Sequence, residues 1–306
     1  MGKLLVGAGG WDYFSIPSGD RLRAYASAYD FVEVNSTYYR LPSPAVVASW
    51  RKRVVPTFEF SIRCPRDLVE RHHLESNSKT LHIIDSTEKI CRHLKANVLA
   101  ILVPKTLVRD EDLSPKLAAL FSTINLGNTK IAVEFREKDP SDEVLQTLKD
   151  HGAIHSVDVS GEDPKIGSNI LYSRLFGKGK ENIYEFDDTE LRDIATKASS
   201  PKFEKSILAF HGVRMYRDAG RMKMFLKTGQ FPSLTSHVGL DSLGEVLKED
   251  TRFPISKARL VEVQGWRLFD RTSERRTRAR EALVKLPNRT FEDFEDLRVS
   301  LERSGL

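Results

Sequence analysis

Phe31-Val-Glu-Val-Asn35 reads as a short strand with two unlike faces: Val32 and Val34 suit a side covered by helices, and Glu33 and Asn35 share the other. A carboxylate on the inner face of a covered strand is expensive and calls for partners from neighbouring strands. Comparable runs recur at Leu4–Ala8, Phe58–Cys64, Val98–Pro104, Ile131–Arg136, Ala153–Val159, Ile170–Phe176 and Ser206–Gly212. Between them, helical patterns are predicted at Asp20–Tyr29, Pro44–Val54, Lys79–Leu94, Pro115–Ile124, Ser141–His151, Asp188–Ala198 and Ala219–Thr228. Ser43-Pro44 and Ser114-Pro115 each place a capping hydroxyl before a first-turn proline. The connection Ser160–Asn169 is short and rich in Gly, Asp and Pro, so no helix is expected there. Strands alternating with helices predict parallel βαβ units, and eight strands close a TIM barrel of about 250 residues. A doubly wound open sheet is the alternative. Against it, Gly7-Ala-Gly-Gly10 lacks the G-x-G-x-x-G spacing, and Trp11 stands where a helix should open.

The composition sets the bounds. With 306 residues, 40% hydrophobic and 30% charged, the chain can build one large domain or two ordinary ones and is neither disordered nor collagenous. No apolar run approaches the roughly 18 residues of a membrane span, so no membrane partner is expected. The opening Met1-Gly-Lys-Leu-Leu-Val-Gly7 reads as a first strand rather than a signal peptide, which implies an intracellular, cytoplasmic protein. Cys64 and Cys91 lack metal-motif spacing and suit a reducing compartment.

Lys+Arg 48 against Asp+Glu 43 gives a net charge of +5, and the excess is concentrated between Lys257 and Arg289. The pattern also changes after about residue 235, where short helices are predicted at Ser242–Lys248, Ser256–Gln264, Arg275–Lys285 and Phe291–Ser304. The expected division is therefore a barrel domain over 1–235 and a small basic helical segment over 236–306. A helix from Ser273 onward would set Arg275 and Arg278 along one side, with Arg276 and Arg280 in an adjacent row facing solvent. Such rows suit a phosphate backbone, and they equally suit a solvated helix whose charges keep the protein soluble.

Alternation along the strands turns Glu33, Asn35, Glu59, Ser61, Arg63, Glu134 and Arg136 into the lumen, with Ser156, Asp158, Tyr172 and Arg174 on shared inner faces and His211 ending the last strand. The residues nearest the C-terminal ends should meet at the barrel mouth, where sites of this fold lie. One reading is a buried ion-pair network in which Glu33, Glu59 and Glu134 neutralise Arg63, Arg136 and Arg174. The other is an oxyanion pocket built on arginine forks. Trp11 and Tyr13 after the first strand either cap the barrel or, with Tyr38 and Tyr39 after the second, offer a stacking surface for a base or sugar. The histidines lack ligand spacing, so no structural metal is expected; a single divalent cation, Mg²⁺ or Mn²⁺, on Glu33, Glu134 and Asp158 stays open. There is no Ser-His-Asp elbow, P-loop or kinase signature.

The segments Gly7-Ala-Gly-Gly-Trp-Asp-Tyr13, Phe31-Val-Glu-Val-Asn-Ser-Thr-Tyr-Tyr-Arg-Leu-Pro42, Phe58-Glu-Phe-Ser-Ile-Arg-Cys-Pro-Arg66, Ala132-Val-Glu-Phe-Arg136 and Tyr172-Ser-Arg-Leu-Phe-Gly177 resemble the domain-of-unknown-function 72 (YecE-like) family. The resemblance implies a TIM barrel over most of residues 1–230. It implies no defined activity, only a fold-level likeness to endonuclease IV and sugar isomerases. Two departures fall at the mouth: a lysine is usual where Arg63 stands, and an Asn-rich turn where His211-Gly212 stands. The segment from Pro254 onward has no counterpart in the compact members.

The leading expectation is a phosphodiester hydrolase acting on DNA or RNA, by metal-assisted or acid–base chemistry. Glu33 or Glu134 would be base or ligand with Asp158 as partner, and His211 would protonate the leaving oxygen. Arg63, Arg136 and Arg174 would stabilise the phosphorane, with Asn35, Tyr39, Tyr172 and Trp11 lining the site and Arg275, Arg276, Arg278 and Arg280 on the nucleic-acid backbone. The alternatives are a non-catalytic anion- or nucleic-acid-binding protein and a sugar-phosphate isomerase or lyase.

Overall fold

Each of the eight β-prone runs becomes a strand in the computed structural model, which describes residues 2–136 and 139–305. They are β1 (Lys3–Ala8), β2 (Phe31–Val34), β3 (Glu59–Arg63), β4 (Ala96–Val103), β5 (Lys130–Phe135), β6 (Ile154–Ser156), β7 (Ile170–Leu175) and β8 (Lys205–Phe210). All pair in parallel in the order β6-β5-β4-β3-β2-β1-β8-β7, and a parallel bridge between Val157 and Ser173 brings the two ends together. The sheet is therefore a nearly closed TIM-type barrel and not an open doubly wound sheet.

The helices follow the expected signals. Ser43 accepts from the Val46 N–H ahead of Pro44, and Asn77 and Thr80 form a capping box for Ser78–Leu94. Ser114 does not cap as expected. Its helix opens two residues earlier than expected, at Leu113, and the Ser114 hydroxyl bonds Thr147 instead. Between β6 and β7 there is no helix, as the composition of that connection predicts.

Apolar side chains fill the middle of the lumen, among them Leu5, Phe31, Val98, Leu102, Ile154 and Ile207. At the N-terminal end, Glu59 takes 2.5 Å ion pairs from Lys3 and Lys205, which open β1 and β8, and a hydrogen bond from Asn97. The expected arginine partners of Glu59 are thus replaced by lysines.

Contacts divide the chain into two compact units, one of Met1–Phe176, Ile194–His211 and Met215–Lys223, the other of Gly177–Asp193, Gly212–Arg214 and Met224–Leu306. The second unit therefore begins well before the expected boundary at 235, with a segment that no composition shift announces. It has its own core, built around Leu243, Val246, Leu260, Phe269, Phe291 and Leu297. It is also not purely helical. β9 (Ile255–Ser256) pairs antiparallel with β12 (Thr290–Phe291), and β10 (Leu268–Asp270) with β11 (Arg276–Arg278).

The helix expected over Arg275–Lys285 is replaced by β11 and a short turn of helix, Arg280–Leu283. Its arginines consequently form no rows. Arg276 is pinned by Asp270 at 3.1 Å and Asp188 at 3.2 Å, and Arg278 donates to the Trp266 and Glu185 carbonyls at 2.7 and 3.0 Å. Only Arg275 and Arg280 of the four are exposed. No helix among the described residues is long and apolar enough to cross a membrane.

Candidate active site at the barrel mouth

Glu33 lies on β2 with no exposure at all. On β7, Tyr172 and Arg174 share one face and both close on it. Tyr172 Oη donates to Glu33 Oε2 at 2.5 Å, and Ser61 Oγ stands 2.8 Å from the same phenol. Arg174 Nε donates to the two Glu33 oxygens at 3.0 and 3.2 Å, while its Nη1 reaches Glu134 Oε2 at 2.5 Å. His211 Nε2 lies 3.2 Å from Glu33 Oε1 but is not aligned for a hydrogen bond and has no other partner among the described residues. The Phe176 ring stacks on the imidazole, with centroids 5.0 Å apart.

These contacts fix the protonation states. Burial alone would raise the Glu33 carboxyl, but Arg174, His211 and Arg63 outweigh it and hold it well below the usual carboxylate range. Burial and the Glu33 charge push the Tyr172 phenol well above its ordinary value, so it stays a donor. Burial, reinforced by Arg174 and opposed by Glu33, pushes the His211 imidazole down. The neutral imidazole is thereby favoured.

Beside this cluster sits Arg63, the last residue of β3. Its Nη1 donates to Asn35 Oδ1 at 3.3 Å, its guanidinium lies 3.9 Å from the Tyr38 ring centre, and its Nε is buried without a partner. Asn35 is held in turn by donating to the Gly9 carbonyl at 2.6 Å. Tyr38 is held by Glu70, which sits in a π-helical turn, Asp67–Arg71. Burial and Arg174 lower the Arg63 pKa, though a guanidinium remains cationic. Arg136 is exposed, with Nε 3.5 Å from Glu134 Oε1.

A cavity of about 320 Å³ opens here, with Trp11, Tyr13, Tyr39 and Tyr216 as its aromatic lining and Asp12, Asn35 and Arg63 among its polar groups. Trp11 is fixed edge-on against Trp50 at 5.2 Å. Gly9 is required at the first turn, because a Cβ there would fall 2.3 Å from His211 Nδ1 and 2.7 Å from Asn35 Nδ2.

Of the residues singled out from sequence, Glu33, Glu134, Tyr172, Arg174 and His211 form one network. Trp11, Asn35, Tyr39 and Arg63 line the cavity, and Arg136 stands on the exposed side of Glu134. Asp158 serves the backbone of a turn. It lies beyond β6 and accepts from the Ser160 and Phe176 N–H groups at 3.0 and 2.8 Å, anchoring the turn that follows. Of the three carboxylates considered for a cation, Glu33 and Glu134 both close on Arg174. Among the described residues, no group of three His, Cys, Asp or Glu is placed to hold a metal ion. Roles for Tyr216, for the Asp12 carboxylate and for Gly9 were not anticipated, and Tyr38 meets Arg63 rather than the cavity. Tyr38 had a signal, its adjacency to Tyr39 after a polar-faced strand, but nothing in sequence spacing announces Glu70 as its anchor.

The model of the family described as "Protein of unknown function DUF72" matches residues 5–235. The chain belongs to the DUF72 family. Solved structures agree in fold. A DUF72 family protein from Enterococcus faecalis V583 is 16% identical with a TM-score of 0.59, covering 74% of this chain and 98% of its own. One from Thermotoga maritima MSB8 is 17% identical with a TM-score of 0.57, covering 74% of this chain and 99% of its own. At such identities the likeness concerns the fold alone. No curated protein matches the chain.

Proposed function

We propose that the barrel mouth binds a phosphate ester and hydrolyses it by acid–base chemistry. The observation that carries this reading is Arg63. Arg63, Arg174, Arg221 and Arg267 are the buried arginines among the described residues. Arg174 closes on Glu33 and Glu134, Arg221 on Asp218 at 3.2 Å, and Arg267 on Glu249 and on Asp250 at 3.3 Å. Arg63 instead has an amide and a ring where the others have a carboxylate in contact, and it lines a cavity. A buried guanidinium with no carboxylate in contact is costly, and an oxyanion from solution would supply that contact.

In this reading Arg63 and Arg136 hold the phosphate and stabilise the charge that develops on it. Glu134, whose side chain keeps 14% exposure where Glu33 has none, takes the proton of the attacking water. The bond from phosphorus to the leaving alcohol breaks, and that oxygen takes its proton from solvent at the open mouth. Glu33, Tyr172 and His211 set the position and charge of Arg174 behind it. DNA or RNA is the proposed polymer on the strength of the mouth alone, since Arg276 and Arg278 are spent inside their own unit.

The test is incubation of the pure protein with labelled single- and double-stranded DNA and RNA, with Mg²⁺, Mn²⁺ or EDTA. Cleavage that persists in EDTA and falls by about 10²–10³ in Arg63→Ala is expected. Intact substrates under every condition overturn the hydrolase, and retention without cleavage reduces it to an anion-binding protein.

A further inference from the structure

Phosphate binding leaves most of the cavity lining unexplained. Tyr13, at 87% exposure, and Tyr39, at 67%, are the most exposed large hydrophobic side chains among the described residues, and both border this one cavity. A single exposed tyrosine needs no explanation, but two at one opening, with Trp11 beside them, offer flat faces to a planar ring. Asp12 lies between Trp11 and Tyr13 in the chain and lines the same space. Its main-chain carbonyl accepts from Arg21 at 3.0 Å, whereas its carboxylate has no partner among the described residues. A carboxylate cannot serve the phosphate, because like charges repel. It must answer donors elsewhere on the ligand, and a pair of sugar hydroxyls is the group that acidic side chains read in ribose.

We propose that the cavity takes one ribonucleotide unit: phosphate on Arg63 and Asn35, ribose hydroxyls on Asp12, base against Tyr13 and Tyr39. This rests on the phosphate-ester reading above and narrows it from any phosphate ester to one carrying a ribose and a base. The volume of about 320 Å³ stands at the lower end of small-ligand pockets, which run from about 300 to 1,000 Å³, and suits one nucleotide rather than a duplex. A free mononucleotide and the end of an RNA strand present the same chemistry.

The experiment is calorimetric binding to the full chain of adenosine 5′-monophosphate, its 2′-deoxy counterpart, ribose 5-phosphate, and a 5′-phosphorylated diadenosine ribonucleotide. Adenosine monophosphate should bind about tenfold tighter than the deoxy form, the size expected for a hydrogen bond to a charged group. Asp12→Asn should bring that ratio close to one, and Tyr13→Ala with Tyr39→Ala should weaken adenosine monophosphate more than ribose 5-phosphate. Melting curves confirm that the variants fold. Equal binding of the ribo and deoxy forms, with an Arg63-dependent affinity for both, overturns the ribonucleotide and leaves the phosphate-ester site standing. No binding of any of these phosphates overturns both. A dinucleotide that binds tighter than the monomer assigns the ligand to RNA, and a weaker one to free nucleotides; either result supports the proposal.

Discussion

Glu33→Gln should cost stability, and Glu134→Gln should cost turnover. Glu33 has no exposure and receives Tyr172 and Arg174, so an amide in its place keeps the shape but not the charge. Arg174, itself 1% exposed, would then face only Glu134. Removing one partner of a buried ion pair costs about 3–5 kcal/mol, and the surviving Glu134 contact argues for the lower end, about 3. In a domain of this size each kcal/mol moves the midpoint by about 2–4 °C, so a loss of roughly 6–12 °C is expected at pH 7. Glu134 keeps solvent at one side, and a glutamine there still accepts from Arg174 Nη1. Its loss should stay near 1 kcal/mol, with turnover falling by about 10²–10⁴. Glu33 also sets the sign of the acid limb. Its folded-state pKa is depressed, so its contribution is complete above the unfolded carboxylate value of about 4.3 and fades as pH falls through the lower folded value. Wild type and Glu33→Gln should therefore differ fully at neutral pH and converge only in strong acid. Thermal melts followed by circular dichroism, beside the cleavage assay, decide the matter. A Glu33→Gln midpoint within about 2 °C of wild type, or a Glu134→Gln variant less stable than Glu33→Gln, would refute the division of roles.

Three further outcomes are expected. Burial, with Lys165 adding, pushes His155 down to about 4, so the unfolded chain takes a proton near 6.5 that the fold refuses until about pH 4. Stability should fall across that window by at most about 3 kcal/mol, and His155→Gln should flatten the fall in urea titrations; parallel profiles would count against it. Gly9→Ala should displace His211 and Asn35, weakening phosphate binding at a cost of about 1–3 kcal/mol, whereas unchanged affinity would mean that the first turn simply yields. Arg276→Met should destabilise by about 1–3 kcal/mol because Asp270 Oδ1 loses its charged donor while Oδ2 keeps the Leu234 and Thr235 N–H groups, and Arg275→Ala and Arg280→Ala should stay within about 0.5 kcal/mol. Equal melts for these variants would return Arg276 to the surface role expected from sequence.

The barrel was legible because each strand repeats one physical statement: an apolar face toward helices and a filled face toward the lumen. The alternation in Phe31-Val-Glu-Val places Glu33 inside without any knowledge of its neighbours, and the same holds for Glu134, Tyr172 and Arg174. What alternation cannot give is which inner groups meet across the lumen. Glu59 faces inward as expected, yet it lies at the opposite end from the arginines assigned to it, a matter of stagger between strands. The second unit was illegible for two reasons. Strands of two or three residues, such as Arg276-Thr-Arg278, are too short for a period of two to be told from a helical face. Gly177–Asp193 joins that unit across a gap in the chain, and local composition carries no trace of such a contact. The arginine rows followed from the first error. Once Arg276 is on a strand opposite Asp270, its charge is answered inside.

Arg174 explains why loss of activity alone will mislead at this site. It joins a carboxylate with no access to solvent to one that has some, through different nitrogens of one guanidinium. Any change that loosens Glu33, Tyr172 or Ser61 therefore also frees Arg174 and shifts Glu134, and reads as catalytic although none of the three reaches the cavity. Arg63 acts on that network only through space, without an ion-pair contact. It has no carboxylate to strand, so Arg63→Ala leaves only the Asn35 amide and the Tyr38 ring without a partner, and both have other contacts. Its stability cost should stay below about 1.5 kcal/mol, and relief of an uncompensated buried charge acts in the opposite direction. A variant that holds its melting point and loses phosphate affinity is what a binding arginine gives. One that loses both places Arg63 in the scaffold with Arg174.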